Sequence, residues 1–416
     1  MADWTKSMQQ TFEFYIVDPG TWKDTKRLTT VKSCTINRDS EADTLGSATI
    51  DVVESLGECY LRVYMITIQN GVTEKHPLGT FLVQTPSSTF DGKIRSVSMD
   101  AYTPLLELKE KQPPIGYYVP KTAGWYKVDR HYDETTKTYT YTTLTQNVDI
   151  SRGEPLPKAT TTTGEDVWFG TTADNEETYY CIVDTFMQVA YRLTRENVRA
   201  PVVKPVSPAD ERLSYDFVSD ISDTWFSYLH DLIAEGNYEF SLDELGRILF
   251  APKQSINSLQ PVWTYDDSNT TSILYPELTT DHDLYGVPNV VEVIFSNGND
   301  VIYSVAKNTD ENSPTSIQSR GREIVHRVTD PEMPGIPSQE QLDEYAEKVL
   351  SELSSVEYTI SYSHGYCPVR IGDCVRLNYA RAGLTDIKAK VISQSIKCEP
   401  GCPVSEKAVF TTKLWR

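Results

Sequence analysis

Pro368-Val369-Arg370-Ile371-Gly372-Asp373-Cys374-Val375-Arg376-Leu377-Asn378-Tyr379 alternates apolar and polar residues, the period of a half-buried β-strand. A turn at Arg381-Ala382-Gly383 follows, and the alternation resumes as Lys388-Ala389-Lys390-Val391-Ile392-Ser393-Gln394-Ser395-Ile396. A second turn, Glu399-Pro400-Gly401, leads into Ala408-Val409-Phe410-Thr411-Thr412-Lys413-Leu414-Trp415. Glycine and proline punctuate the runs. Residues 367–416 therefore predict three antiparallel strands of a small barrel.

The same layout stands near the start of the chain. Leu61-Arg62-Val63-Tyr64-Met65-Ile66 runs into an Asn70-Gly71 turn, then Gly79-Thr80-Phe81-Leu82-Val83, a polar loop with Asp91-Gly92, and Val97-Ser98-Met99-Asp100-Ala101-Tyr102. Two explanations stand. Any two β-meanders look alike, or the chain holds two homologous barrels separated by other material.

Other segments share an order and texture with a known family. They are the N-terminal strand series ending in Leu78-Gly79-Thr80-Phe81-Leu82-Val83, and Tyr228-Leu229-His230-Asp231-Leu232-Ile233-Ala234 with Tyr238-Glu239-Phe240 and Leu245-Gly246-Arg247-Ile248-Leu249-Phe250. A helix from Ser338 to Ser354 and the run Val369-Arg370-Ile371-Gly372-Asp373-Cys374-Val375-Arg376-Leu377 complete the set. In these places the chain resembles a phage tail hub protein, the baseplate hub or tail-tip hub of long-tailed phages and related contractile injection particles. The resemblance implies a homotrimer whose two barrels per chain form a ring of pseudo-sixfold symmetry, adapting a sixfold tail tube to a threefold tip. It implies as partners a distal tail or tail-tube ring protein, a spike or tip protein and the C-terminus of the tape-measure protein. DNA would only pass through the lumen, and the location would be the tail tip or baseplate of the virion.

The chain has 416 residues, too many for one core, and its 25 tyrosines and many threonines and valines favour strands. No apolar run approaches the roughly 18 residues of a membrane helix, so no membrane insertion is expected. Met1-Ala2-Asp3-Trp4-Thr5-Lys6 lacks a basic region followed by an apolar one, which predicts synthesis and assembly in a cytoplasm, that of the bacterial host if the resemblance holds. The formal net charge of −20 argues against binding nucleic acid by phosphate neutralisation. In a trimer the charge would be three times that. A lumen lined with carboxylates would keep a passing duplex from sticking, or the acidity only keeps the particle soluble.

In order, residues 1–103 predict an N-terminal β-barrel of six short strands. Residues 104–270 predict an α+β domain carrying an extended insertion at about 110–177, rich in Pro, Tyr and Thr. Its helices are expected over Thr178 to Asn197 and after a cap at Ser222 or Asp223. Residues 271–310 and 364–416 predict the second, split barrel, with the hairpin around Asn297-Gly298-Asn299-Asp300 assigned to it. Residues 311–363 predict a small α+β unit with a helix at 338–354, opened by a Ser338/Gln341 capping box. The fold class is mainly β with α+β insertions: two small antiparallel barrels plus helix-containing domains.

No catalytic signature is present: no H-E-x-x-H, no G-x-S-x-G and no phosphate-binding glycine loop. The adjacent acids Asp243 and Glu244 look like turn residues between two strands. His282, between Asp281 and Asp283, reads as a solvated loop histidine. Cys367, Cys374, Cys398 and Cys402 cluster near the C-terminus and four cysteines can hold zinc, but their spacing is no usual knuckle, and Cys34, Cys59 and Cys181 read as small buried hydrophobes. Reduced thiols, no metal, no cofactor and no catalytic residues are expected. Trp125, Tyr126, Trp168 and Phe169 in the insertion leave open an alternative, a tail protein that binds glycan on the host cell surface. An enzyme that degrades cell wall is a third, remoter reading.

Overall fold

The computed structural model describes residues 2–53, 56–90, 92, 95–119, 126–147, 158–160, 166–171, 178–182, 185–205, 213, 216–267, 273–282, 286–296, 301–311, 313–329, 331, 337–353 and 355–413. The Asn297-to-Asp300 turn, Thr161 to Gly164, Trp125 and Trp415 lie outside these residues.

Seven strands fill the first hundred positions: β1 (Gln9–Val17), β2 (Asp24–Leu28), β3 (Val31–Asp39), β4 (Gly46–Val52), β5 (Cys59–Gln69), β6 (Val72–Phe90) and β7 (Arg95–Tyr102). They pair antiparallel in the order β2-β1-β5-β6-β7-β4-β3. The sequence predicts six. The seventh, β2, buries only Leu28, so no apolar period marks it. The Asn70-Gly71 turn closes β5 onto β6 with φ of 51° and 78°, the left-handed pair that a two-residue hairpin loop needs and that Asn-Gly supplies cheaply. Leu61, Val63 and Met65 of β5 point into a core with Ile36, Ile50 and Met99, all fully buried.

The middle of the chain forms α1 (Leu106–Glu110), β8 (Tyr118–Val119), β9 (Tyr126–Asp133), β10 (Thr138–Asn147), β11 (Lys158–Thr160), β12 (Asp166–Thr171), β13 (Thr178–Ile182), α2 (Phe186–Asn197), β14 (Phe217–Val218), α3 (Trp225–Ala234), β15 (Tyr238–Leu242) and β16 (Ile248–Pro252). The insertion carries its own five-stranded sheet, β10-β9-β13-β12-β11. The helix expected from Thr178 starts only at Phe186. Tyr179, Tyr180 and Cys181 are strand formers and pair in β13, whereas Thr185 and Gln188 make the reciprocal capping box that opens α2. α3 is likewise capped by Thr224 rather than by Ser222 or Asp223. Leu193 of α2, Leu229 and Leu232 of α3, and Phe240 of β15 share one core.

The remaining elements are β17 (Pro261–Asp266), β18 (Leu274–His282), β19 (Val290–Ser296), β20 (Val301–Lys307), α4 (Ile317–Arg320), β21 (Val325–Val328), α5 (Gln339–Leu353), β22 (Ser355–Gly365), β23 (Cys374–Tyr379), β24 (Leu384–Lys397) and β25 (Pro403–Lys413). The three strands expected at 367–416 are β23, β24 and β25, paired antiparallel as read. Two expectations change. The hairpin β19–β20 is not part of this sheet: it pairs with β21 in a separate three-stranded sheet covered by α5, because Val291, Val293 and Ala306 face Leu342, Ala346 and Leu350. β22, placed by the sequence in the small α+β unit, instead pairs along eleven residues with β25.

One strand unites the molecule. One edge of β24 carries β23 along its first half and β3 along its second, Ser393–Lys397 facing Thr35–Asp39. The two strand groups are thus one sheet of thirteen strands. Among the described residues the pairings run as an open path from β2 to β18, with β23 and β17 branching from β24, and cross from one group to the other only at the β3–β24 seam. No described helix is long and apolar enough to cross a membrane.

Candidate functional site at a three-way junction

The β15–β16 hairpin turn is the point where the N-terminal strand group, the helical unit and the C-terminal strand group meet. Asp243 builds the turn, its carboxylate accepting the Arg247 backbone N–H at 2.8 Å while the Gly246 N–H donates to the Asp243 carbonyl at 2.9 Å. Gly246 has φ +74°, and a Cβ there would stand 2.7 Å from the Thr80 Cβ. Only glycine lets the turn sit this close to β6.

The backbone carbonyls of the turn are held by the N-terminal group. Leu245 O accepts from the Trp22 indole at 2.8 Å and from the Arg62 guanidinium at 3.1 Å, and Glu244 O accepts from the Thr80 hydroxyl at 3.3 Å. Arg62 is buried, and a buried cation must be paired. Its Nε donates to Thr80 Oγ1 at 2.9 Å and its Nη1 to Asp24 at 2.8 Å, whose other oxygen takes the Tyr64 hydroxyl at 2.7 Å.

The Glu244 side chain reaches the other strand group. It pairs with Arg370 at 2.6 Å and approaches Arg38 at 3.9 Å. Arg38 donates to Leu78 O at 2.7 Å and to Gln394 Oε1 at 3.1 Å. Gln394 in turn donates to Val369 O at 3.0 Å and to Glu406 at 2.7 Å. Glu406 lies in the C-terminal core, accepts the Tyr362 hydroxyl and stands 3.3 Å from His364 Nε2. A single chain of polar contacts therefore runs from the hairpin turn, across the β3–β24 seam, into the far core.

His364 is wholly buried and meets an acceptor at each ring nitrogen: Gly365 O at 2.7 Å from Nδ1, and Glu406 with the Tyr265 hydroxyl (3.0 Å) at Nε2. A ring protonated at both nitrogens satisfies Gly365 O and the Glu406 carboxylate together. Burial pulls its pKa down, but the partners Cys367 and Glu406 outweigh that and hold it up at about 10. The Tyr265 hydroxyl also contacts Cys367 Sγ at 3.2 Å, and burial beside Glu406 pushes both Tyr265 and Tyr362 well above the usual phenol range.

A cysteine, a histidine and a carboxylate together invite a nucleophilic reading. The geometry opposes it. Cys367 Sγ is 3.9 Å from His364 Nδ1, that nitrogen is already engaged by Gly365 O, and all three side chains are sealed in the core. This cluster holds structure together.

An open cleft of about 790 Å³ lies at the junction, outside the polar chain's buried end. Thr80 and Phe81 line it from the N-terminal group, Phe240 and Leu242 from the hairpin, and Arg370 and Lys390 from the C-terminal group. Its cations are largely answered from within the chain, Lys390 by Glu239 at 3.9 Å and Lys109 by Asp43 at 2.5 Å.

Of the residues singled out in the sequence, Asp243 and Glu244 are indeed turn residues, and the structure makes them the centre of the junction. Cys367, Cys374, Cys398 and Cys402 do not converge: Cys367 lies in the C-terminal core, Cys374 in β23, and Cys398 and Cys402 pack in the N-terminal core beside Cys34. Among the described residues no three His, Cys, Asp or Glu side chains are placed to hold a metal. His282 ends β18 opposite Tyr358, and Asp283 lies outside the described residues. Tyr126, Trp168 and Phe169 are placed in strands of the insertion sheet. Sequence reasoning missed Arg38, Arg62, His364 and Glu406. Their signal was an ionisable residue inside an otherwise apolar-alternating strand.

No protein-family model matches the chain, and no curated protein does. Solved structures do. The chain is similar to the tail protein from Neisseria meningitidis MC58, with TM-score 0.56 and 12% identity over 96% of this chain and 97% of that one. It is also similar to the 43 kDa tail protein of prophage MuSo2 from Shewanella oneidensis, with TM-score 0.52 and 10% identity over 96% and 98%. The class this defines is one of fold: the chain has the fold of phage tail proteins along nearly its whole length, and the resemblance read from the sequence is met at that level.

Proposed function

We propose that the chain is a structural protein of a phage or phage-like tail, the subunit of a homotrimeric hub at the tail's distal end. The observation that carries the reading is the architecture of the sheet. Two strand groups, of seven and six strands, are joined side by side through β3 and β24, so one chain would present two units to the ring. Three such chains would present six, the number a sixfold tube requires. The likeness to two tail proteins over 96% of the chain supports the same reading.

In this role the protein works by assembly and not by chemistry. The tube side would meet the distal tail or tail-tube ring protein, the opposite side a spike or tip protein, and the lumen would hold the tape-measure C-terminus and then pass DNA. The junction suits the task. A hub transmits load between rings, and a hairpin turn clamped by paired, largely buried groups resists shear between the two strand groups. Gold-labelled antibody against the chain, applied to intact particles, is expected to mark the distal tail end. Labelling along the tube or on the head would refute the placement.

A further inference from the structure

Three cysteines crowd the seam between the two strand groups. Cys34 lies in β3 and Cys398 directly follows β24, one step beyond the Lys397–Thr35 pair, and the Cys398 N–H donates to Cys34 O at 2.9 Å. Both side chains belong to the N-terminal core, with Ile36 and Ile396 next to them on the same face. Directly opposed, hydrogen-bonded residues of an antiparallel pair have Cα atoms about 5.5 Å apart. That falls within the usual separation of a disulfide. Both are free thiols here.

We propose that Cys34 and Cys398 are a redox staple, an oxidation site that locks the β3–β24 seam covalently when the protein meets a peroxide. The seam is the only strand pairing between the two strand groups among the described residues, so a bond there ties their sheets directly. Cys398 is half-buried and Cys34 buried, which sets the order of events. Cys398 thiolate attacks hydrogen peroxide, forming the sulfenic acid and releasing hydroxide. The Cys34 thiol then attacks that sulfur, the S–S bond forms and water leaves. In total two thiols and one peroxide give one disulfide and two waters, with both sulfurs oxidised and both peroxide oxygens reduced. The neighbouring Cys34 side chain and burial raise the Cys398 thiol well above its ordinary range. The staple therefore closes slowly at neutral pH and faster as pH rises, because only the thiolate reacts. Cys402, next along the chain in the same core, is the competing partner.

The test is peptide mapping of the full-length folded protein after hydrogen peroxide, without reduction. The expected product is one cross-link joining the peptides of Cys34 and Cys398, lighter by two hydrogens. It forms several-fold faster at pH 9 than at pH 7, raises Tm and is reversed by dithiothreitol. C402S should leave it intact. C34S should abolish it, and C34A provides a second variant if C34S folds poorly. A Cys398–Cys402 link, a link through Cys59, Cys181 or Cys374, loss of the cross-link in C402S, or oxidation that stops at sulfinic acid in the folded wild type would overturn the proposal.

Discussion

His364 shows what one buried ionisable group does to a fold. Its ring faces Glu406, Tyr265, Tyr362 and Cys367, with Gln394 and Arg38 beyond. Because its pKa in the folded chain, about 10, exceeds the ordinary 6.5, its contribution is complete below pH 6.5 and is lost as pH rises toward 10. Cys402 is also raised by burial, and its contribution fades only above its ordinary 9.0, so the interval from 6.5 to 9 belongs mainly to His364. The urea midpoint of the wild type should fall across that interval, and that of His364→Gln should be nearly flat. Equal slopes would mean that His364 is neutral. Removing either member of the pair leaves its partner charged and buried, so His364→Gln or Glu406→Gln should cost about 3–5 kcal/mol. Gly246→Ala tests the turn. A left-handed alanine costs about 1–2 kcal/mol, and the contact with Thr80 adds to that, so chemical denaturation should show a loss of about 2–4 kcal/mol.

At the scale of elements, legibility followed periodicity. β23, β24 and β25 alternate cleanly and were readable, as was the hairpin β19–β20. The Ser338/Gln341 box was also plain, and it is formed, with 2.9 and 3.2 Å bonds in its two directions. Ser338→Ala should cost about 1 kcal/mol. Proton exchange should show the loss in α5 and in β19–β21, while the thirteen-stranded sheet keeps its protection, because α5 packs on the separate sheet. What the sequence could not show is which strand finds which. β2 is polar, so it has no pattern. β22 follows α5 after one residue, so its chain neighbours suggested the wrong unit, whereas its partner is β25. The junction was illegible for the same reason. Glu244 and Arg370 are 126 positions apart in sequence yet in contact, and an acidic turn residue looks alike whether it faces water or an arginine. Glu244→Ala should unlock the hairpin: exchange of β15–β16 amides should quicken several-fold, with little change in β5. An unchanged hairpin would show that the backbone contacts of Trp22 and Arg62 suffice.

For the whole molecule, the seam decides the behaviour. The β24 strand serves both groups along one edge, so a change at Ile396, which is buried against the N-terminal core, is felt by both. Ile396→Ala should cost about 2–5 kcal/mol, and both groups should unfold in one transition. Two separate transitions would show that the groups fold independently. On the proposed reading, two strand groups fused in one chain would let three copies offer six faces to a sixfold tube. The direct test is native mass spectrometry of the purified protein over a range of concentration and salt. With a chain of 47.0 kDa, the expected species has about three chain masses and grows with concentration and with salt, since each chain carries a formal charge of −20 and screening weakens the repulsion between copies. A strict monomer at every concentration, unmoved by addition of the tail-tube ring protein, would contradict it.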